Sequence, residues 1–152
     1  MEKVFEDYFS ELQVDIVSIC LEYVEKRAEK IYIYCSFESG MISSGFFYKV
    51  NRKIVKKNKL NDVILDGEKK YDVSITRQKG AINIINDDIK ALNRLCQEYQ
   101  KEMPTQIKLI YDVISNKLNA DYSYDMIFSN DQRKTAYDVL EEWYQLEKSK
   151  EE

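Results

Sequence analysis

The sequence predicts an α+β fold: a single antiparallel sheet of about five strands with helices packed mainly on one face, in the order α-β-β-β-α-β-β-α. Three observations carry this prediction. Apolar residues recur at three- and four-residue steps over three long stretches, as in amphipathic helices. Between them lie short alternating runs bounded by turn residues. The third observation is the stretch Met103 to Asp125, MPTQIKLIYDVISNKLNADYSYD, which alternates regularly enough to fold as a hairpin with one apolar face. A two-residue turn at Ser115-Asn116 pairs Val113 with Leu118, Tyr111 with Ala120, Leu109 with Tyr122 and Ile107 with Tyr124, all on one side. Lys108, Asp112, Lys117, Asn119, Asp121 and Ser123 fall on the other, interrupted by Ile110 and Ile114, so that face is mostly solvent. An isolated hairpin is not stable in water, so it must extend a larger sheet.

The elements follow in order. Val4, Phe5, Tyr8, Phe9, Leu12, Ile16, Val17, Cys20, Leu21, Val24 and Ala28 keep a helical period, placing a helix from about Glu2 to Glu29. In KIYIYCSF, Ile31, Ile33, Cys35 and Phe37 alternate with Tyr32, Tyr34 and Ser36 as a first strand, and Glu38-Ser39-Gly40 turns the chain. Met41 to Val50 is a second strand. Gly45 marks a bulge in it, because Phe46, Phe47 and Tyr48 break the alternation. Asn51-Arg52 turns into a short third strand, Lys53 to Lys57, whose lysines suit an exposed edge. Asn58 to Lys70 reads as loop. The helical period returns from about Tyr71 to Glu102 through Ile75, Ile82, Ile85, Ile89, Leu92, Cys96 and Tyr99, with Gly80 as a point where the helix can kink and Pro104 as its stop. After the hairpin, Ser129-Asn130-Asp131 offers a cap for a last helix built on Ala136, Tyr137, Leu140, Trp143, Tyr144 and Leu146. Residues 1-152 form a single domain on this reading, with a charged, frayed tail from about 147.

Composition narrows the function. The 152 residues hold 4 Gly and 1 Pro, which leaves little room for linkers, and no internal repeat. The longest apolar runs fall far short of the roughly 20 residues of a membrane span, and the amino terminus is acidic where a signal peptide would be basic, so no membrane partner and a cytoplasmic location are expected. Cys20, Cys35 and Cys96 each sit in an apolar pattern and read as buried thiols. The absence of histidine removes Ser-His-Asp and Cys-His catalysis and histidine metal sites. Asp121 to Asp125 has the opening of a calcium loop but lacks its glycine (Met126) and closing glutamate (Gln132). The adjacent carboxylates Asp87-Asp88 and Glu141-Glu142 diverge on a helix and read as solvated. No cofactor, metal or catalytic residue is expected, and the chain is not expected to be an enzyme.

Charge is unevenly spread. From Lys49 to Tyr71 eight basic residues stand against three acidic ones, a net +5, while from Asp121 to Glu152 nine acidic residues stand against four basic ones, a net −5. The whole chain carries −4, so the basic run reads as an edge-strand guard rather than a nucleic-acid surface. The 12 tyrosines are the compositional oddity. Tyr32 and Tyr34 point away from the Ile31 and Ile33 face, and either contact with another protein or amphipathic surface packing accounts for them.

The order of elements, and above all helix, MPTQIKLIYDV, turn, KLNADYSYD and an acidic-aromatic helix with Trp143, resembles the YezG-like family of bacterial immunity proteins. The tyrosine-rich IYIYCSF and the FFYKVNRKIV hairpin extend the likeness over most of the chain. This sequence departs from that pattern in having Met103-Pro104-Thr105 where a tryptophan beside the proline is expected, and in its charged tail. Members are antitoxins of secreted LXG-type toxins, nucleases among them. The resemblance implies a stoichiometric inhibitor held in the cytoplasm of the producing cell, whose partner is a cognate toxin domain. The acidic residues Asp121, Asp125, Asp138, Glu141 and Glu142 are then the expected partner-binding set, with Tyr122 and Tyr124 more structural. An alternative of another class is a non-catalytic adaptor or chaperone for a secreted protein.

Overall fold

The computed structural model describes residues 3–127 and 134–151 and has the expected order of elements. Helix α1 (Phe5–Tyr23) leads into strands β1 (Lys30–Glu38), β2 (Met41–Val50) and β3 (Lys53–Lys56). A 3-10 helix over Lys57–Asp62, in what reads from sequence as loop, precedes helix α2 (Ile75–Glu98), strands β4 (Gln106–Asp112) and β5 (Lys117–Ser123), and helix α3 (Ala136–Ser149). The five strands make one open antiparallel sheet in the order β3-β2-β1-β4-β5.

Two tight turns set the first three strands. Ser39 and Gly40 (φ 54° and 76°) close β1 onto β2, and Asn51 and Arg52 (φ 50° and 69°) close β2 onto β3. Both turns have the left-handed backbone whose twist suits two-residue hairpins. Glu29 clamps the second turn by accepting from the Asn51 and Arg52 N–H groups at 3.0 and 2.7 Å. The β1–β2 register runs unbroken from Lys30 opposite Lys49 to Glu38 opposite Met41, so the bulge expected at Gly45 does not exist. Phe46, Phe47 and Tyr48 abandon alternation for a different reason: both faces of the sheet are covered there, and all three are buried.

The closing hairpin is shifted by two residues from its expected register. Leu109 lies opposite Ala120 and Tyr111 opposite Leu118, leaving a four-residue loop from Val113 to Asn116. Asp112 accounts for the longer loop, its carboxylate accepting from the Ile114 and Ser115 N–H groups at 3.1 Å each. Asn116 adopts a left-handed backbone (φ 56°) and accepts from the Tyr111 hydroxyl.

Both long helices end earlier than their apolar periods suggest. Glu25 and Lys26 turn left-handed after α1, and the Arg77 guanidinium caps the freed Tyr23 and Glu22 carbonyls at 2.7 and 3.1 Å. α2 stops at Glu98, ahead of a left-handed Gln100. Ser74 caps its start by accepting from the Arg77 N–H, and the helix continues through Gly80.

α1 and α2 cover one face of the sheet. Ile16, Cys20, Tyr23, Ile85, Ile89 and Leu92 pack there on Ile31, Ile33, Phe46, Tyr48 and Leu109. The Tyr48 hydroxyl donates to the Cys20 carbonyl (2.6 Å) and that of Tyr23 to the Lys57 carbonyl (2.9 Å), so both rings are buried without stranding their polar tips. The other face carries a second, smaller core, which qualifies the expectation of helices mainly on one side. α3 lays Ala136, Val139 and Trp143 on Tyr32, Tyr34, Phe47 and Ile54. Tyr32 stacks on Phe47 with centroids 4.7 Å apart, and Trp143 meets both rings edge-on. Tyr32 and Tyr34 are therefore core residues, 4% and 1% exposed, buried by the chain's own last helix.

Candidate partner-binding surface

α3 sits rigidly on the sheet because its first turn is tied to itself and its apolar stripe is full. Thr135 caps the start: its hydroxyl accepts from the Asp138 N–H (3.3 Å), and the Asp138 carboxylate accepts from the Thr135 N–H (2.9 Å). The cap expected at Ser129-Asn130-Asp131 lies outside the described residues. With Ala136, Val139 and Trp143 turned inward, Tyr137, Glu142, Gln145 and Leu146 face outward, Tyr137 being 66% and Leu146 55% exposed.

The five acidic residues expected to bind a partner do not form one patch. Asp138, Glu141 and Glu142 lie on α3, whereas Asp121 is on strand β5 at the sheet's edge, opposite Lys108, and Asp125 follows that strand. Nor are the three helical acids equivalent. Asp138 is committed to the cap. Glu141 takes the Lys56 ammonium at 2.9 Å and the Gln145 amide at 3.1 Å, contacts that hold its carboxyl below the usual range and raise Lys56. Glu142 pairs with Lys134 at 3.1 Å yet keeps its side chain 63% exposed.

The basic and acidic segments thus fold against each other, and the bipolar field read from sequence is partly cancelled inside the molecule. Glu151 extends this. Its carboxylate accepts from the Ile54 N–H (2.7 Å) and lies 3.8 and 3.7 Å from the Lys53 and Lys148 ammoniums, so the tail is docked along β3 rather than frayed.

Beside α3 a cleft of about 240 Å³ opens between Phe46, Phe47, Lys57, Tyr137, Leu140 and Tyr144. Lys56 and Glu141 close one wall, with the Lys56 ammonium 5.0 Å from the Tyr144 ring. Lys57 stands 5.4 Å from the Phe46 ring, and burial pushes its ammonium below the usual lysine range. Chemically the cleft offers aromatic walls and two amines, which suits an apolar or aromatic side chain with an acceptor at its tip. Nothing in the linear pattern marks it, since its walls come from β2, β3, α2 and α3. A second groove, about 520 Å³, runs between the first turns of α1 and the end of β5 past Phe5, Phe9, Gln13, Tyr122 and Tyr124. Tyr122 is pinned there by the Gln13 amide, which donates to its hydroxyl, and by Phe9 at 5.8 Å.

No family model matches the chain, and no curated protein does. Among the described residues, no three His, Cys, Asp or Glu side chains converge as a metal site, and no helix is long and apolar enough to cross a membrane.

Proposed function

We propose that this chain is an immunity protein that binds a cognate secreted bacterial toxin, with nucleases among the targets, and neutralises it stoichiometrically in the cytoplasm of the producing cell. One observation supports the reading best: the exposed surface of α3, where Glu142 and Leu146 project one turn apart and Tyr137 stands on the opposite flank beside the cleft, from a helix locked by its cap and by Trp143. Aromatic and aliphatic anchors on a rigid element, with an exposed carboxylate among them, are what a tight protein contact needs. The cleft next to Tyr137 gives a partner side chain somewhere to insert. The resemblance to the YezG-like family supplies the class of partner. On this reading Glu142 speeds encounter with a basic toxin surface, and Tyr137 and Leu146 slow release.

The test is co-expression with a secreted-toxin domain encoded by a neighbouring gene. Cell survival and a co-purified one-to-one complex are the expected results, with Tyr137→Ala plus Leu146→Ala weakening the complex roughly tenfold or more. Continued killing with no complex overturns the proposal. Capture of a flexible targeting segment of the partner, with no contact to its folded toxic domain, would assign the chain instead to an adaptor or chaperone.

A further inference from the structure

The two edges of the sheet are finished differently. Phe37 N–H donates to the Thr105 carbonyl and Val113 N–H to the Glu29 carbonyl, both at 2.9 Å, in line with the β1–β4 register. Backbone groups alternate in direction along a strand, so the odd-numbered residues of β4 serve β1 and the even-numbered ones serve β5. Carried through the pairs Lys108 with Asp121 and Ile110 with Asn119, this turns the N–H and C=O of Leu118, Ala120 and Tyr122 away from the sheet. At the opposite edge the outward groups of Ile54 are satisfied within the chain, its N–H by Glu151 (2.7 Å) and its C=O by Lys148 (3.4 Å). The edge of β5 has no such cover from the described residues. Lys117 to Tyr122 are all exposed, and the strand contains neither proline nor bulge.

The sequence of β5 fits a copy of itself. Two strands run antiparallel about Ala120 set Leu118 against Tyr122 twice on the face that carries α1 and α2, and Asn119 against Asp121 twice on the other. Lys117 meets Ser123, and only the small Ala120 meets its own counterpart. No like charges stand directly opposite one another, and each Lys117 lies diagonal to Asp121 of the other copy. All three outward donors and all three outward acceptors find partners in this register. Leu118 and Tyr122, 36% and 37% exposed, cover one another. Tyr122 is already held in place by Gln13 and Phe9.

We propose that β5 pairs antiparallel with β5 of a second copy about Ala120, joining two five-stranded sheets into one of ten strands. The contact is isologous and closed, so it yields a dimer and no filament. It leaves the α3 surface of each copy free and does not rest on the immunity reading.

Sedimentation of the full chain over a range of concentrations tests it, together with amide hydrogen exchange. A dimer is expected, with the Leu118, Ala120 and Tyr122 amides protected at high concentration and losing protection on dilution. Ala120→Pro should yield a monomer with unchanged far-UV circular dichroism, because an outward-facing residue gives up no hydrogen bond to β4. Ala120→Glu should do the same by placing two carboxylates at the axis, which covers the case in which the proline variant fails to fold. A wild-type chain that stays monomeric to its solubility limit overturns the proposal, including the case in which a strand of another protein takes the edge. A dimer that survives Ala120→Glu overturns it as well.

Discussion

Leu140 of α3 lies directly over Gly45 of β2, with its Cδ2 occupying the space a Cβ on that glycine would fill. Gly45 sits in regular register opposite Tyr34, so the missing side chain serves packing and not a turn or bulge. Gly45→Ala should push Leu140 aside and loosen α3, costing on the order of 1–3 kcal/mol. A melting temperature lowered by roughly 3–10 °C is expected, with partial recovery when Leu140→Ala is added. An unchanged melt would mean that the Leu140 side chain rotates clear of the added methyl without moving the helix.

Gly45 also marks where the linear pattern stops being informative. Element order and the two-residue turns at Ser39-Gly40 and Asn51-Arg52 are legible because periodicity and left-handed residues are local properties. The second core is not. Tyr32 and Tyr34 alternate with isoleucines just as surface tyrosines would, and a ring with a polar tip fits either place. Only α3 laid across them decides it. The hairpin register fails for a related reason. A slip of two residues keeps every side chain on its face, so alternation cannot separate Leu109 opposite Tyr122 from Leu109 opposite Ala120. The Asp112 carboxylate, which favours a four-residue loop, makes that choice. At the candidate site, the excess of acids in the last 32 residues is plain from sequence. That Lys56 and Glu141, 85 residues apart, neutralise one another is a tertiary fact no local pattern carries.

The acids of α3 divide into structural and presented groups, and charge reversal should separate them. Asp138→Lys breaks the capping box and puts a cation at the helix amino terminus, costing roughly 1–2 kcal/mol. Glu141→Lys faces Lys56 and should lower the melting temperature by a smaller amount, since that pair is about a third exposed and screened by solvent. Glu142→Lys should leave the melt within about 0.5 kcal/mol of wild type while slowing association with a basic partner at low salt. Thermal melts of the three single variants check the order. A destabilised Glu142→Lys would show that the Lys134 pair is structural.

Glu151 closes the β3 edge, and removing it should expose the backbone of Ile54. Glu151→Ala leaves that N–H without its carboxylate and removes the anion beside Lys53 and Lys148. The expected outcome is faster amide exchange at Ile54 and a greater tendency to aggregate with little change in secondary structure, because an unpaired edge is a template for other strands. Exchange at Ile54 equal to that of wild type would show that the edge is protected by other means.

Asp88 of α2 makes stability fall as pH rises. Burial and the neighbouring Asp15 carboxyl, with Asp87 adding to them, push Asp88 up to about 7. The two carboxyls hydrogen-bond only when one carries a proton, and Asp88 Oδ2 is buried with no other partner. In the unfolded chain the group titrates near 3.8. Between these values the folded protein binds more protons than the unfolded one, so the contribution of Asp88 to stability declines from about pH 4 to about pH 7 and stays at its lowest above that. Asp88→Asn cannot ionise and keeps a donor for Asp15. It should raise the melting temperature at pH 8, and the gain should shrink as the pH falls from about 7 and be gone below about pH 3.8, where wild-type Asp88 is protonated in both states. Melts of the two proteins across that range check the sign. A gain that grows toward low pH would mean that Asp88 is ionised in the fold and stabilised by a cation.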